Sequence, residues 1–185
     1  MIDKEKIKKA IRMILEAIGE NPEREGLRET PQRVADMYEE LLEGYYKEDE
    51  YVQFTERSDL VVVGPIRFYS LCEHHLLPFF GYVYAAYLPK GKVVGISKIV
   101  KVVHRYARRL QIQERMTEQI AEELQKLTGS KDVMVIVRGR HMCLEMRGVR
   151  SQSVVTTAAL RGEFTKDAAL RSEVLAYFVK ESPQL

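Results

Sequence analysis

The chain has 185 residues, 30% of them charged and 45% hydrophobic, with a formal net charge of +2 at neutral pH. That length suits one domain with a sizeable core and a smaller helical appendage, and so small a net charge gives no case for nucleic-acid binding. No apolar run approaches membrane-spanning length, the opening residues do not form a leader, and two cysteines suit a reducing, cytoplasmic setting without disulfides.

Ile7, Ile11, Ile14, Leu15 and Ile18 recur at helical spacing and predict a first helix that stops at Gly19. Thr30 is expected to cap a second helix, with Pro31 at its first position and Val34, Met37, Tyr38, Leu41 and Leu42 along one side. From about Leu60 the pattern turns strand-like: LVVVG, then GYVYAAYL and KVVGI, the last two joined across Pro89-Lys90-Gly91 as a hairpin. A long helix is predicted from Ser97 to about Leu127. Its apolar stripe of Ile99, Val103, Tyr106 and Leu110 meets Gln113, Glu114 and Thr117 where it should continue, and resumes at Ile112, Met116, Ile120 and Leu124. The helix must kink or restart near Gln111. MVIVRG, RHMCLEM and SVVTTAAL read as three further strands, and Leu170, Val174, Leu175 and Phe178 mark a closing amphipathic helix. Helices grouped between hairpin-linked strands predict an α+β fold with an antiparallel sheet. An N-terminal helical segment is expected over residues 1–55 and the main domain over residues 56–185.

Chemistry concentrates in two short stretches. LCEHHLLPFFG places Cys72, Glu73, His74 and His75 at the head of an apolar run. Cys72 and His75 are three apart, which lets both reach one metal from a turn but sets them on opposite faces of a regular strand, so a turn or bulge is implied. RHMCLEMR, read as a strand, puts Met142, Leu144 and Met146 on one face and His141, Cys143, Glu145 and Arg147 on the other. A purely structural cysteine belongs with the methionines, yet Cys143 falls with the polar set. Cys72, His75 and Cys143 together offer soft and borderline donors that suit zinc better than magnesium or calcium. His74 and His141 remain over. Either completes a closed Cys2His2 structural site, or both stay free beside a zinc whose fourth position holds water, whose pKa then falls from about 15.7 to about 7.

The polar interruption of the long helix has two readings. It is a register break with its polar pair in solvent, or an inward carboxylate, Glu114, awaiting a planar partner with two donors such as the N1–H and 2-amino edge of guanine. At the start of that helix, Ser97 is a possible N-cap, followed by Lys98, Lys101, Arg105 and Arg108 at spacings of three and four. This is a solvated face, or a polyphosphate cradle at the positive end of a helix dipole that Arg147 can join. No aromatic residues interleave it as single-strand recognition would require.

CEHHLLPFFG, VVGISKI, ARRLQIQERMT and RHMCLEMRGV, in this order, resemble GTP cyclohydrolase I, and the likeness runs from GLRETPQRVADMY to ALRGEF. The resemblance implies a tunnelling fold, an antiparallel sheet with helices on one side, assembled as a homodecamer, a dimer of pentamers, with active sites at subunit interfaces. It also implies the reaction of GTP with water to give formate and 7,8-dihydroneopterin triphosphate, an entry to folate or related pterins. By position, Cys72, His75 and Cys143 match the catalytic Zn2+ ligands, and His74 and His141 the free histidines that move protons. Gln113 and Glu114 match the guanine-binding pair, and Ser97, Lys98, Arg147 and Arg33 the triphosphate contacts. Lys101 stands where the family more often has arginine, keeping the charge without the bidentate fork. Two rivals differ in chemistry: a nucleic-acid-binding module with a structural zinc on Cys72, His75, His141 and Cys143, and a nitrile reductase of the same fold that uses cysteine without zinc. Neither nucleic acid nor membrane is expected as a partner.

Overall fold

The computed structural model describes residues 2–47 and 53–180. Asp3 opens helix α1 (Lys4–Ala17) by accepting the Lys6 amide at 3.0 Å. Helix α2 (Thr30–Leu41) begins at Thr30 rather than being capped by it, with Pro31 in the first turn, where a missing amide hydrogen costs nothing. The two helices pack on each other and bury Leu15 and Ala35, while Met13, Ile14, Ile18 and Met37 stay exposed. Neither helix adds a buried residue to the two main core clusters. The junction expected near residue 55 follows residues 48–52, which lie outside the described residues.

Beyond a 3-10 turn (Glu43–Tyr45) the order is β1 (Gln53–Phe54), β2 (Val61–Cys72), β3 (Pro78–Tyr87), β4 (Val93–Val94), α3 (Ile96–Ala107), β5 (Leu110–Gln111) and α4 (Gln113–Thr128). Then come β6 (Val133–His141), α5 (Met142–Glu145), β7 (Val154–Leu160), α6 (Glu163–Lys166) and α7 (Ala168–Lys180). Five strands form one sheet in the order β5-β2-β3-β6-β7, antiparallel except where β5 runs parallel to β2. The expected hairpin between GYVYAAYL and KVVGI is absent. β3 already has β2 and β6 on its two sides, so β4 finds no free edge there and pairs with β1 instead.

Alternation along the strands sorts the core. Phe68, Val83, Ala85, Val135 and Val137 face α3 and α4, whose Ile99, Val103, Met116 and Ile120 are at most 1% exposed. Tyr84, Ala86, Met134 and Ile136 face the other way, toward Phe164, Val174 and Phe178. Helices thus cover one face fully, as expected, while α7 additionally covers part of the second. Burial on both faces explains why GYVYAAYL and MVIV read as continuous apolar runs.

The single long helix is two. α3 stops at Ala107, the chain passes through β5, and α4 restarts at Gln113 to end on Gly129, whose φ of +68° is the left-handed conformation that glycine supplies at a helix end. The strand expected through RHMCLEM stops at His141. The register pairs His141 with Phe79, so the next partner would be Pro78, which has no amide to offer the ladder. The chain turns helical there instead, closed by the Arg140–Glu145 ion pair, with Arg140 Nε donating at 2.7 Å. No helix among the described residues is long and apolar enough to cross a membrane.

Candidate active site

β2 delivers Cys72 to the end of the sheet, and the chain reverses at once. The Leu76 amide donates to the Cys72 carbonyl at 2.8 Å and the Cys72 amide to Leu77 O at 2.9 Å, with Leu76 held at φ 55°. This is the turn that the Cys72–His75 spacing requires. The α5 turn brings Cys143 to the same place, and the ligand atoms of Cys72, His75 and Cys143 all lie within 4.8 Å of one another. Cys143 arrives from a helical turn, so the strand alternation that set it apart from the methionines does not describe it, and Met146 is exposed. Cys72 is buried, Cys143 half-buried and His75 exposed. Burial pushes the Cys143 thiol up, and the neighbouring Cys72 adds to this. Two thiols in that position gain from a cation between them.

The turn is braced from α4. Arg115 forms a two-pronged pair with Glu73, whose carboxyl it holds below the usual range, and the Glu73 amide donates to Gln111 O at 3.1 Å. His74 is exposed, with Nε2 3.9 Å from Glu73 Oε1. Arg147 Nη1 lies 3.0 Å from His75 Nε2, at the cluster itself.

His141 stands apart from the three ligands. Its ring stacks on Phe79, with centroids 4.7 Å apart and planes within 5°, and its Nε2 lies 2.9 Å from Gln113 Oε1. Burial holds its pKa below the ordinary imidazole value, against the Glu114 and Glu145 carboxylates, which draw it upward. Glu114 is therefore near, but it is not the inward carboxylate expected from the stripe. It is exposed in the first turn of α4, and the inward polar residues are Gln113 and Thr117, each 1% exposed. Both polar atoms of the Gln113 side chain are bonded inside the fold.

The basic set at α3 is not gathered here. Gly95, not Ser97, precedes the helix as its N-cap, and Ser97 lies within the first turn. Arg105 pairs with Glu123 at 3.1 Å and Arg108 with Glu43, so both are committed inside the chain. α3 starts beside Tyr87, whose hydroxyl accepts the Val94 amide at 3.1 Å, whereas the cluster lies at the Pro78 end of the same strand. At about 3.4 Å per residue the ends of β3 are about 30 Å apart. Ser97, Lys98 and Lys101 are thus remote from the cluster within one chain, and Arg33 is exposed on α2.

Sequence reading missed Glu73, Arg115, Phe79 and Gln111 as supports. Glu73 sits inside the quoted motif, but its partner is 42 positions away. Phe79 reads like any core phenylalanine.

Over residues 7–179 the sequence matches the GTP cyclohydrolase I family. The GTP cyclohydrolase 1 of Hyperthermus butylicus is 68% identical over 173 residues, covering 94% of this chain and 90% of its own. That of Caldivirga maquilingensis is 51% identical over 95% of this chain and 93% of its own. A looser likeness, at a TM-score of 0.44 and 21% identity, covers 56% of this chain and 96% of a solved one, the archaeosine synthase QueF-Like in the apo form. The family match takes in every strand and reaches both terminal helices, and the chain belongs to the GTP cyclohydrolase I family.

Proposed function

We propose that this chain uses zinc held by Cys72, His75 and Cys143 to convert GTP and water into formate and 7,8-dihydroneopterin triphosphate. The observation that carries the reading is the convergence of two thiols and one imidazole from separate motifs. Two sulfurs and a nitrogen suit zinc, and three protein ligands leave a place for water where a structural site would be closed. The closed alternative needs His74 or His141 as fourth ligand, yet His74 is exposed outside the three-residue cluster and the His141 ring is bonded to Gln113 and stacked on Phe79. Zinc bound there supplies Lewis-acid activation of water at neutral pH.

The chain's own residues supply the rest. Glu114, exposed beside His141, offers two carboxylate oxygens to the N1–H and 2-amino donors of guanine and so fixes the base. His141, with His74 exposed nearby, exchanges protons with the purine ring nitrogen as the ring opens. His75 Nδ1 faces Cys72 Sγ, and a metal held there would leave the ring hydrogen on Nε2, opposite the donor-only guanidinium of Arg147, which would then be free to turn toward an anionic ligand. Ser97 and Lys98 hold the triphosphate from a neighbouring subunit, because in one chain they lie at the start of α3, toward the far end of the sheet; Lys101, further along α3, and the exposed Arg33 of α2 join them there. That supports sites at subunit interfaces, which the proposed homodecamer would supply; the helical segment to residue 55 and the catalytic domain from residue 56 complete the proposal.

The test is to incubate purified protein with GTP, assay formate and a fluorescent pterin after oxidation, and repeat with a chelator. Both products should appear together and vanish on chelation. Turnover indifferent to metal removal sinks the zinc reading.

A further inference from the structure

We propose that Gln113 is a positioning residue for His141: its side-chain amide fixes which imidazole nitrogen carries the hydrogen and takes no part in holding the base. An amide has two faces of opposite chemistry, and here the surroundings decide between them. Gln113 Nε2 lies 3.1 Å from Val137 O, 3.0 Å from Val155 O and 3.1 Å from Thr157 Oγ1. Two of these are carbonyl oxygens, which cannot donate. A reversed amide would set its own oxygen against them in a site where Gln113 is 1% exposed.

The hydroxyls agree. Thr117 donates to the Gln113 carbonyl at 2.7 Å, so the 2.6 Å contact between Thr157 and Thr117 runs from Thr157 to Thr117. Thr157 Oγ1 is left to accept from Gln113. The two amide hydrogens are then shared among three acceptors, and Gln113 Oε1 must face His141 Nε2 as an acceptor at 2.9 Å. The hydrogen of the neutral ring therefore sits on Nε2, and Nδ1 keeps the lone pair. Two further features serve the same end. Gly139 makes room for the oxygen, since a Cβ there would lie 2.6 Å from Gln113 Oε1, and Phe79 holds the ring plane by stacking. Any proton that His141 exchanges with a ligand passes through Nδ1.

The catalytic meaning of this clamp rests on His141 being the proton carrier; the tautomer does not. It is read in substrate-free protein by solid-state 15N spectra of histidine-labelled enzyme, recorded above the ordinary imidazole range. The chain has 4 histidines, and His141→Asn identifies the signal. The native ring should report Nε2–H, and Gln113→Met should give mixed tautomers. In the same variant kcat should fall about 10–100-fold, with KM for GTP within about two-fold. A native Nδ1–H tautomer overturns the proposal, as does a Gln113→Met variant that raises KM while the tautomer stays put. The native spectrum needs no variant, so misfolding of Gln113→Met does not spoil the test. An inactive native protein that still shows Nε2–H defeats the hydrolysis reading and upholds the clamp.

Discussion

Cys72 and Gln111 face each other across the parallel bridge between β2 and β5, and this pairing ties the cluster turn to the start of α4. The strand is only two residues long, so its hold depends on the buried Gln111 side chain, which donates to Tyr106 O at 3.0 Å and Gln119 Oε1 at 2.8 Å. Gln111→Leu keeps the volume and orphans both acceptors. It should cost about 1–3 kcal/mol, read from the denaturant midpoint, and weaken zinc retention on dialysis. Unchanged retention would show that the turn holds itself.

His141→Ala should keep stoichiometric zinc and lose about 10²–10⁴-fold in turnover, because a proton carrier is removed and no ligand with it. Metal content by elemental analysis, set beside the rate of formate release, makes the comparison. Zinc lost in step with the histidine would favour the closed structural site.

Glu114→Ala removes an exposed carboxylate whose side chain makes no hydrogen bond or ion pair among the described residues. Stability and metal content should hold. Two charge-assisted hydrogen bonds to the base would go, about 3 kcal/mol or more, so GTP affinity should fall about 100-fold or more. Calorimetric titration with GTP decides it, and unchanged affinity removes guanine recognition from this residue.

Gly139 and Gly81 separate site damage from fold damage. A Cβ at Gly81 would lie 1.9 Å from Arg138 O, main chain in the β3–β6 ladder, so Gly81→Ala should fail to accumulate as folded protein. At Gly139 the nearest atom is the Gln113 side-chain oxygen, which can shift. Gly139→Ala should cost about 1–3 kcal/mol while lowering turnover more than its melting temperature implies. Equal loss of melting temperature in the two variants would contradict this.

What the sequence disclosed depended on how local each cause is. Cys72 and His75 belong to one turn, and their spacing alone demanded it. Cys143 was singled out by an alternation that the fold does not keep, because Pro78, on another strand, stops the ladder at His141. The break near Gln111 was visible as a failure of the stripe, but β5 was not, since a two-residue strand exists only by pairing with Leu71 and Cys72. Gln113 was named as a base contact only through the resemblance, and the inward bonds of its side chain were not legible. Its partners Val137, Val155 and Thr157 lie 24 to 44 positions on, beyond any local pattern.

The separation of Ser97 and Lys98 from the cluster makes the last prediction a matter of counting. If each site takes its zinc, His141 and Glu114 from one subunit and its triphosphate cradle from the next, two inactive variants should rescue each other. Lys98→Ala carries a sound cluster and a broken cradle, and His141→Ala the reverse. Random co-assembly in equal amounts pairs a sound cluster with a sound cradle at about a quarter of the interfaces, so about a quarter of native activity should return. Separately assembled variants, mixed without subunit exchange, should stay inactive and serve as the control. Co-assembled oligomers of confirmed mixed composition that remain inactive would mean both halves of the site come from one chain, and the about 30 Å between them would then require a rearrangement of α3 against the sheet.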